Sequence, residues 1–139
     1  MTNKLARFEK GATIFTEGDV EDELYFIKKG RVELYVKDPF SAENVFLTIL
    51  EEGSILGTMA FLEAEPRSAT AIAFTDIECI VIGKEARVKL MEKIPEWFKI
   101  FIKDLTSSVR KQNEKYSALR TEHNKLLKKF VDLKQSAQN

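Results

Sequence analysis

The chain has 139 residues, 44% of them apolar, and its 22 basic and 22 acidic side chains cancel. This composition supports one packed core with an appendage, and the charge balance by itself selects no partner. A single cysteine, Cys79, excludes an intrachain disulfide, and with a single histidine it leaves too few ligands for most zinc sites.

The first ten residues lack the apolar centre of a signal peptide, and no apolar run approaches the ~20 residues that span a bilayer. The expectation is a cytoplasmic protein that does not enter a membrane. From residue 11 to 82 the pattern is that of β-structure. Leu24–Lys28 and Val32–Lys37 flank Lys29-Gly30, a turn signal. Within the second run Val32, Leu34 and Val36 alternate with Glu33, Tyr35 and Lys37, as in a half-buried strand. Phe46–Leu50, Ser68–Phe74 and Ile77–Ile82 read the same way. Glycines at 11, 18, 30, 53, 57 and 83 lie at or beside the ends of these runs. Many short strands with regular turn signals predict a sandwich, roll or barrel. Cys79 sits inside the alternating run Ile77–Ile82, where it reads as a buried structural thiol and not a nucleophile.

The texture changes after Gly83. Lys84–Ile94 carries Val88, Leu90, Met91 and Ile94 at helical spacing, and Pro95 then restarts a helix at the position proline tolerates best. From Glu96 onward there is neither Gly nor Pro. Ile102, Val109, Tyr116, His123 and Phe130 occupy one seam position of a heptad, and Leu105, Gln112, Leu119, Leu126 and Leu133 the other. This predicts a long pairing helix over 95–139, a homodimer through it, and a β-rich body over 1–94. Polar Gln112 and His123 within the seam cost stability and fix register. In a parallel pair Lys115 faces Arg120 of the second copy and Lys129 faces Lys134, each repelling by a few tenths of a kcal/mol. Acidic residues outnumber basic ones in 1–94, whereas basic ones predominate in 95–139. That helix surface is either simply solvated or a docking face for an acidic protein.

Gly57 closes an apolar segment, and a short helical turn is predicted to start at Thr58, with Met59, Ala60 and Phe61. Free backbone N–H groups at such a turn favour an anion. Arg67 supplies a fixed cationic fork and Ser68 a hydroxyl, both on the predicted next strand. Together they make a phosphate cradle. Glu63 and Glu65 are close in sequence, so Arg67 reads either as a phosphate ligand or as half of a structural ion pair.

The stretch from Gly53 to Thr70 resembles the phosphate-binding cassette of the cyclic nucleotide-binding domain family, which includes the catabolite activator protein and the regulatory subunits of cyclic-AMP-dependent kinase. Phe8, Gly11, Ile14, Glu17-Gly18-Asp19 and Leu24-Tyr25-Phe26-Ile27 with Gly30 are similar to that family's opening strands. Gly53-Ser54-Ile55-Leu56-Gly57 is similar to the cassette entry and Arg67-Ser68-Ala69 to its exit. The resemblance implies a mainly β, jelly-roll-like β-roll followed by a long coiled-coil helix, acting as a non-catalytic sensor of cAMP or cGMP. It implies that Arg67 binds the cyclic phosphate, with Gly57, Ser68 and the backbone at Thr58, Met59 and Ala60. It places base recognition at Gln112 and Asn113, although Gln112 reads equally as a seam amide. The family usually carries glutamate after the cassette glycine, where it accepts a bond from the ribose 2′-hydroxyl; here that residue is Thr58. A neutral bond contributes about 1 kcal/mol against roughly 1.5–3 for a charged one, a loss of about tenfold or more in affinity. The alternative is therefore a degenerate member that serves as a scaffold or adaptor without nucleotide.

No cofactor, metal or catalysis is expected. His123 lies far along the helix from any nucleophile, and there is no Gly-x-x-x-x-Gly-Lys-Ser/Thr loop. The helix-turn-helix that follows in the family's transcription factors has no counterpart in this sequence, so direct DNA binding is not expected.

Overall fold

The period-two runs pair into two antiparallel sheets. The computed structural model describes residues 3–38 and 40–138. Its strands are β1 (Lys4–Phe8), β2 (Thr13–Phe15), β3 (Leu24–Lys29), β4 (Val32–Lys37), β5 (Asn44–Leu50), β6 (Ile55–Leu56), β7 (Thr70–Ala73) and β8 (Ile77–Ile82). A short helix, α1 (Thr58–Glu63), lies between β6 and β7, and α2 (Lys84–Lys93) and α3 (Glu96–Ala137) follow β8. One sheet has the order β1-β8-β3-β6 and the other β2-β7-β4-β5. Each sheet mixes strands distant in sequence, which is the jelly-roll-like arrangement expected of a β-roll.

Alternation fixes the inward face. On β8 Ile77, Cys79 and Val81 are buried while Glu78, Ile80 and Ile82 are only partly so. Glu78, pointing outward, pairs with Arg7 at 3.4 Å and Lys28 at 3.6 Å. Ile77, Cys79 and Val81 join Ile14, Phe15, Tyr25, Ile27, Val32, Leu56, Ala71 and Ala73 in one core cluster. Full burial of a side chain such as Val32 or Leu56 contributes about 1.5–3 kcal/mol. The β3–β4 turn needs Gly30. Its φ is +98°, and a Cβ there would meet the Asp76 carbonyl oxygen at 2.3 Å.

The chain divides into two compact units, one ending at Lys99 and one beginning at Ile100. The first contains the β-roll, α1, α2 and the opening turn of α3. The second is the remainder of α3. Two local readings change. Arg67 and Ser68 do not lie on a strand, because β7 begins only at Thr70, opposite Tyr35 of β4. The Arg67 backbone instead bonds to the preceding loop, its N–H to Asp19 O at 2.8 Å and its carbonyl to the Gly18 N–H at 2.9 Å. Ile94 also leaves the helix, standing as the extended residue after α2. The following proline disfavours helical backbone at that position.

Candidate functional site

β6 ends at Leu56, and Gly57 turns the chain into α1 with φ of +84°. The first intrahelical bond runs from the Phe61 N–H to Gly57 O at 2.9 Å. The N–H groups of Thr58, Met59 and Ala60 therefore precede the helical ladder. Gly57 is required for space as well as for φ. A Cβ there would lie 2.2 Å from Arg67 Nη1 and 2.9 Å from the Glu23 carbonyl oxygen.

Arg67 is the centre of the site. It is only 2% exposed, yet Nε, Nη1 and Nη2 all lack a hydrogen-bond partner. Its guanidinium carbon lies 4.3 Å from the Phe15 ring centroid and 5.8 Å from that of Tyr25. Burial pulls the Arg67 pKa down, opposed by the neighbouring Tyr25, Glu21, Glu23 and Asp22. Burial pushes the Tyr25 phenol up, and the hydrogen bond it donates to Glu23 Oε2 at 2.8 Å pushes it further.

Gly57, Thr58, Met59, Ala60, Arg67 and Ser68 all line one pocket, so the structure brings these six predicted residues together. Phe15, Leu34, Leu50, Ile55, Leu56 and Ala69 complete an apolar wall. Gln112 and Asn113 stand exposed on α3, in the second unit. The expected pairing of Arg67 with Glu63 or Glu65 is not formed, because the guanidinium has no partner at all. The carboxylates whose field reaches it come from the loop before β3, where Glu21, Asp22 and Glu23 adjoin Tyr25. Sequence proximity misled here, since Glu63 ends α1 and Glu65 follows just after it, while the sheet register decides which loop faces the pocket.

Phe15 and Tyr25 were the functional residues that sequence reasoning missed. Their inward alternation was readable, but their meeting at Arg67 was not. The arrangement offers an unpaired cation, backbone donors and two hydroxyls inside an apolar pocket, which is the chemistry of a compact anion with an apolar body. Among the described residues no group of three or more His, Cys, Asp or Glu side chains could hold a metal ion. Nor is any described helix long and apolar enough to cross a membrane.

The family model described as "Cyclic nucleotide-binding domain" matches residues 5–93. The chain belongs to the cyclic nucleotide-binding domain family. This domain is 27% identical over 112 residues to a CRP-like cAMP-activated global transcriptional regulator of Mycobacterium tuberculosis, covering 81% of the chain and 50% of that protein. Among solved structures, the cAMP-bound form of the EAL enzyme Bd1971 matches with a TM-score of 0.73 and 30% identity, over 82% of this chain and 30% of that one. The Thermus thermophilus catabolite activator protein matches with a TM-score of 0.65 and 25% identity, over 84% and 55%. The cyclic nucleotide-binding domain described here thus spans half or less of the length of the mycobacterial and EAL proteins.

Proposed function

We propose that this chain is a non-catalytic regulatory module that senses a cyclic nucleotide in the Arg67 pocket and dimerises through α3. The observation that carries the ligand reading is the buried Arg67 guanidinium with no partner on any nitrogen. An unpaired buried cation is costly, and a cyclic phosphate with its single negative charge supplies the missing partner. Thr58, Met59 and Ala60 would donate backbone N–H groups to it and Ser68 its hydroxyl, while the apolar wall would meet the sugar and base. Solved relatives in cAMP-bound and cGMP-bound forms support this class of ligand. Residues 1–94 would serve as the sensor and 95–139 as the pairing helix, with Gln112 and Asn113 reading the base. Support for pairing comes from the seam of α3, where Val109, Leu119, Leu126 and Leu133 are between 47% and 70% exposed. The basic outer surface of α3 is assigned to an acidic protein partner, and the module acts in the cytoplasm.

Isothermal calorimetry with cAMP and with cGMP tests the reading. One nucleotide is expected to bind to wild type and neither to Arg67→Ala. No heat with either at millimolar concentration would favour the scaffold alternative, for which Thr58 in place of the usual glutamate is the motivating residue.

A further inference from the structure

The seam of α3 is symmetric in a way that its heptads do not require. α3 runs unbroken from Glu96 to Ala137, and Leu105, Val109, Tyr116, Leu119, Leu126 and Phe130 along it are all exposed in the single chain. Gln112 and His123 are exposed on the same stripe. About the point between Ser117 and Ala118, Tyr116 mirrors Leu119, Gln112 mirrors His123, Val109 mirrors Leu126 and Leu105 mirrors Phe130. Apolar residues thus mirror apolar ones, and the two polar residues mirror each other. Two copies of this helix running in opposite directions about that point set each seam residue against its mirror in the second copy. Gln112 then faces His123 of the second copy, and each covered polar group gains a hydrogen-bonding partner in place of an apolar wall. Sliding the register by one heptad in either direction loses this match. It sets Gln112 against Phe130 or Tyr116, and His123 against Leu119 or Leu105.

A parallel pair also matches the polar residues, Gln112 with Gln112 and His123 with His123, so the flanks of the seam decide the direction. In parallel, Lys115 meets Arg120 and Lys129 meets Lys134, while Glu122, the acidic residue of the flanks, meets Leu127. Like charges face each other and no opposite charges do. In the opposed arrangement Lys115 meets Glu122 of the second copy, once on each side of the symmetry point. Arg120 then meets the Asn113 amide, and Lys129 meets Ser108. Both repulsions are gone and an attraction appears twice. We propose that α3 pairs antiparallel with α3 of a second copy, centred between Ser117 and Ala118, with Gln112–His123 fixing the register and Lys115–Glu122 the direction. The proposal rests on the reading that the chain pairs through α3 and names how it does so. The Gln112 amide carries two donors and an acceptor, so one bond across the seam leaves groups for a ligand.

Lys115→Glu gives the two arrangements opposite signs. In the antiparallel pair it brings carboxylates together on both sides, and the dimer Kd from sedimentation equilibrium of the full chain at low salt is expected to rise about fivefold. In a parallel pair the new carboxylate would meet Arg120, and Kd would fall. Lys115→Glu combined with Glu122→Lys restores facing opposite charges and is expected to return Kd to within about twofold of wild type. Disulfide exchange reads the direction separately. Val109→Cys and Leu126→Cys, each in the full chain carrying Cys79→Ala, are mixed in a glutathione buffer, and the 109–126 mixed disulfide is expected to dominate. An unchanged or lower Kd for Lys115→Glu, a charge swap that fails to recover, or 109–109 and 126–126 disulfides in place of the mixed one would each overturn the antiparallel proposal while leaving pairing through α3 intact. A wild type that stays monomeric defeats the pairing reading itself, a distinguishable result. The charge variants keep the test open if Cys79→Ala fails to fold.

Discussion

The guanidinium carbon of Arg67 sits 4.3 Å above the centre of the Phe15 ring, and that ring takes the place of a hydrogen-bonding partner. A desolvated cation–π contact contributes about 2 kcal/mol. Burying an unpaired charge costs several kcal/mol even after relaxation. Phe15 therefore offsets part of the cost and leaves the remainder for an anion to relieve. The pocket therefore sets stability against binding.

That conflict gives the first prediction. Arg67→Met keeps the volume and removes the charge, so it should abolish cyclic nucleotide binding while raising stability by about 1 kcal/mol or more. For a domain of this size that corresponds to a rise of several degrees in Tm. A thermal melt of the ligand-free proteins checks it, and a lower Tm for Arg67→Met would contradict the account of the buried charge.

Two glycine variants separate site from scaffold. Gly57→Ala forces a side chain into left-handed backbone and against Arg67 Nη1, so stability should fall by about 1–3 kcal/mol and affinity should fall with it. Gly30→Ala meets the Asp76 carbonyl in the β3–β4 turn, and Gly30 itself does not line the pocket. It should cost as much stability or more while its folded fraction binds normally. Urea midpoints paired with calorimetry would show whether the two effects part as expected.

Alkaline pH should weaken the fold in a defined order. Burial raises the Cys79 thiol, and burial with the Glu23 hydrogen bond raises the Tyr25 phenol. A raised folded-state pKa favours the neutral form in the native state. Its stabilising effect is complete below the unfolded pKa and is lost as pH rises toward the folded value. Tm should therefore begin to fall above about pH 8.5, where an unfolded thiol ionises, and fall further above about pH 10 as unfolded tyrosine follows. Cys79→Ala should flatten the first part of the curve only. A Tm in wild type that holds level from pH 8 to 11 would refute this.

Pairing through α3 is tested at its apolar seam. Leu119→Asp combined with Leu126→Asp introduces charges at two exposed seam positions. Sedimentation equilibrium is expected to show a dimer for wild type and a monomer for the double variant. An unchanged dimer would move the interface elsewhere on the chain.

The strands of β4 and β8 were readable because a half-buried strand writes its inward face as alternation, from Val32 to Lys37 and from Ile77 to Ile82. The pocket residues Gly57, Thr58 and Arg67 were readable for a different reason. Positive φ, a helix start and a cationic fork are each properties of one residue type or one short segment. None of these signals contains the strand order, and strand order decides what faces Arg67. β2 pairs with β7, setting Phe15 opposite Ala71, while β3 lies in the other sheet and brings Tyr25 and the acidic loop.

The sequence by itself thus determined a β-rich sandwich, roll or barrel, its turns, the long helix and the residue types of an anion pocket, because these follow from local periodicity and backbone chemistry; the choice of a β-roll among them came from the resemblance to the family. Only the tertiary structure decided that Arg67 has no carboxylate partner, that Phe15 lies beneath it, and that Arg87 links the acidic loop to α1. Those contacts join residues 26 to 65 positions apart. They depend on register and crossover between two sheets, which no short stretch of sequence encodes.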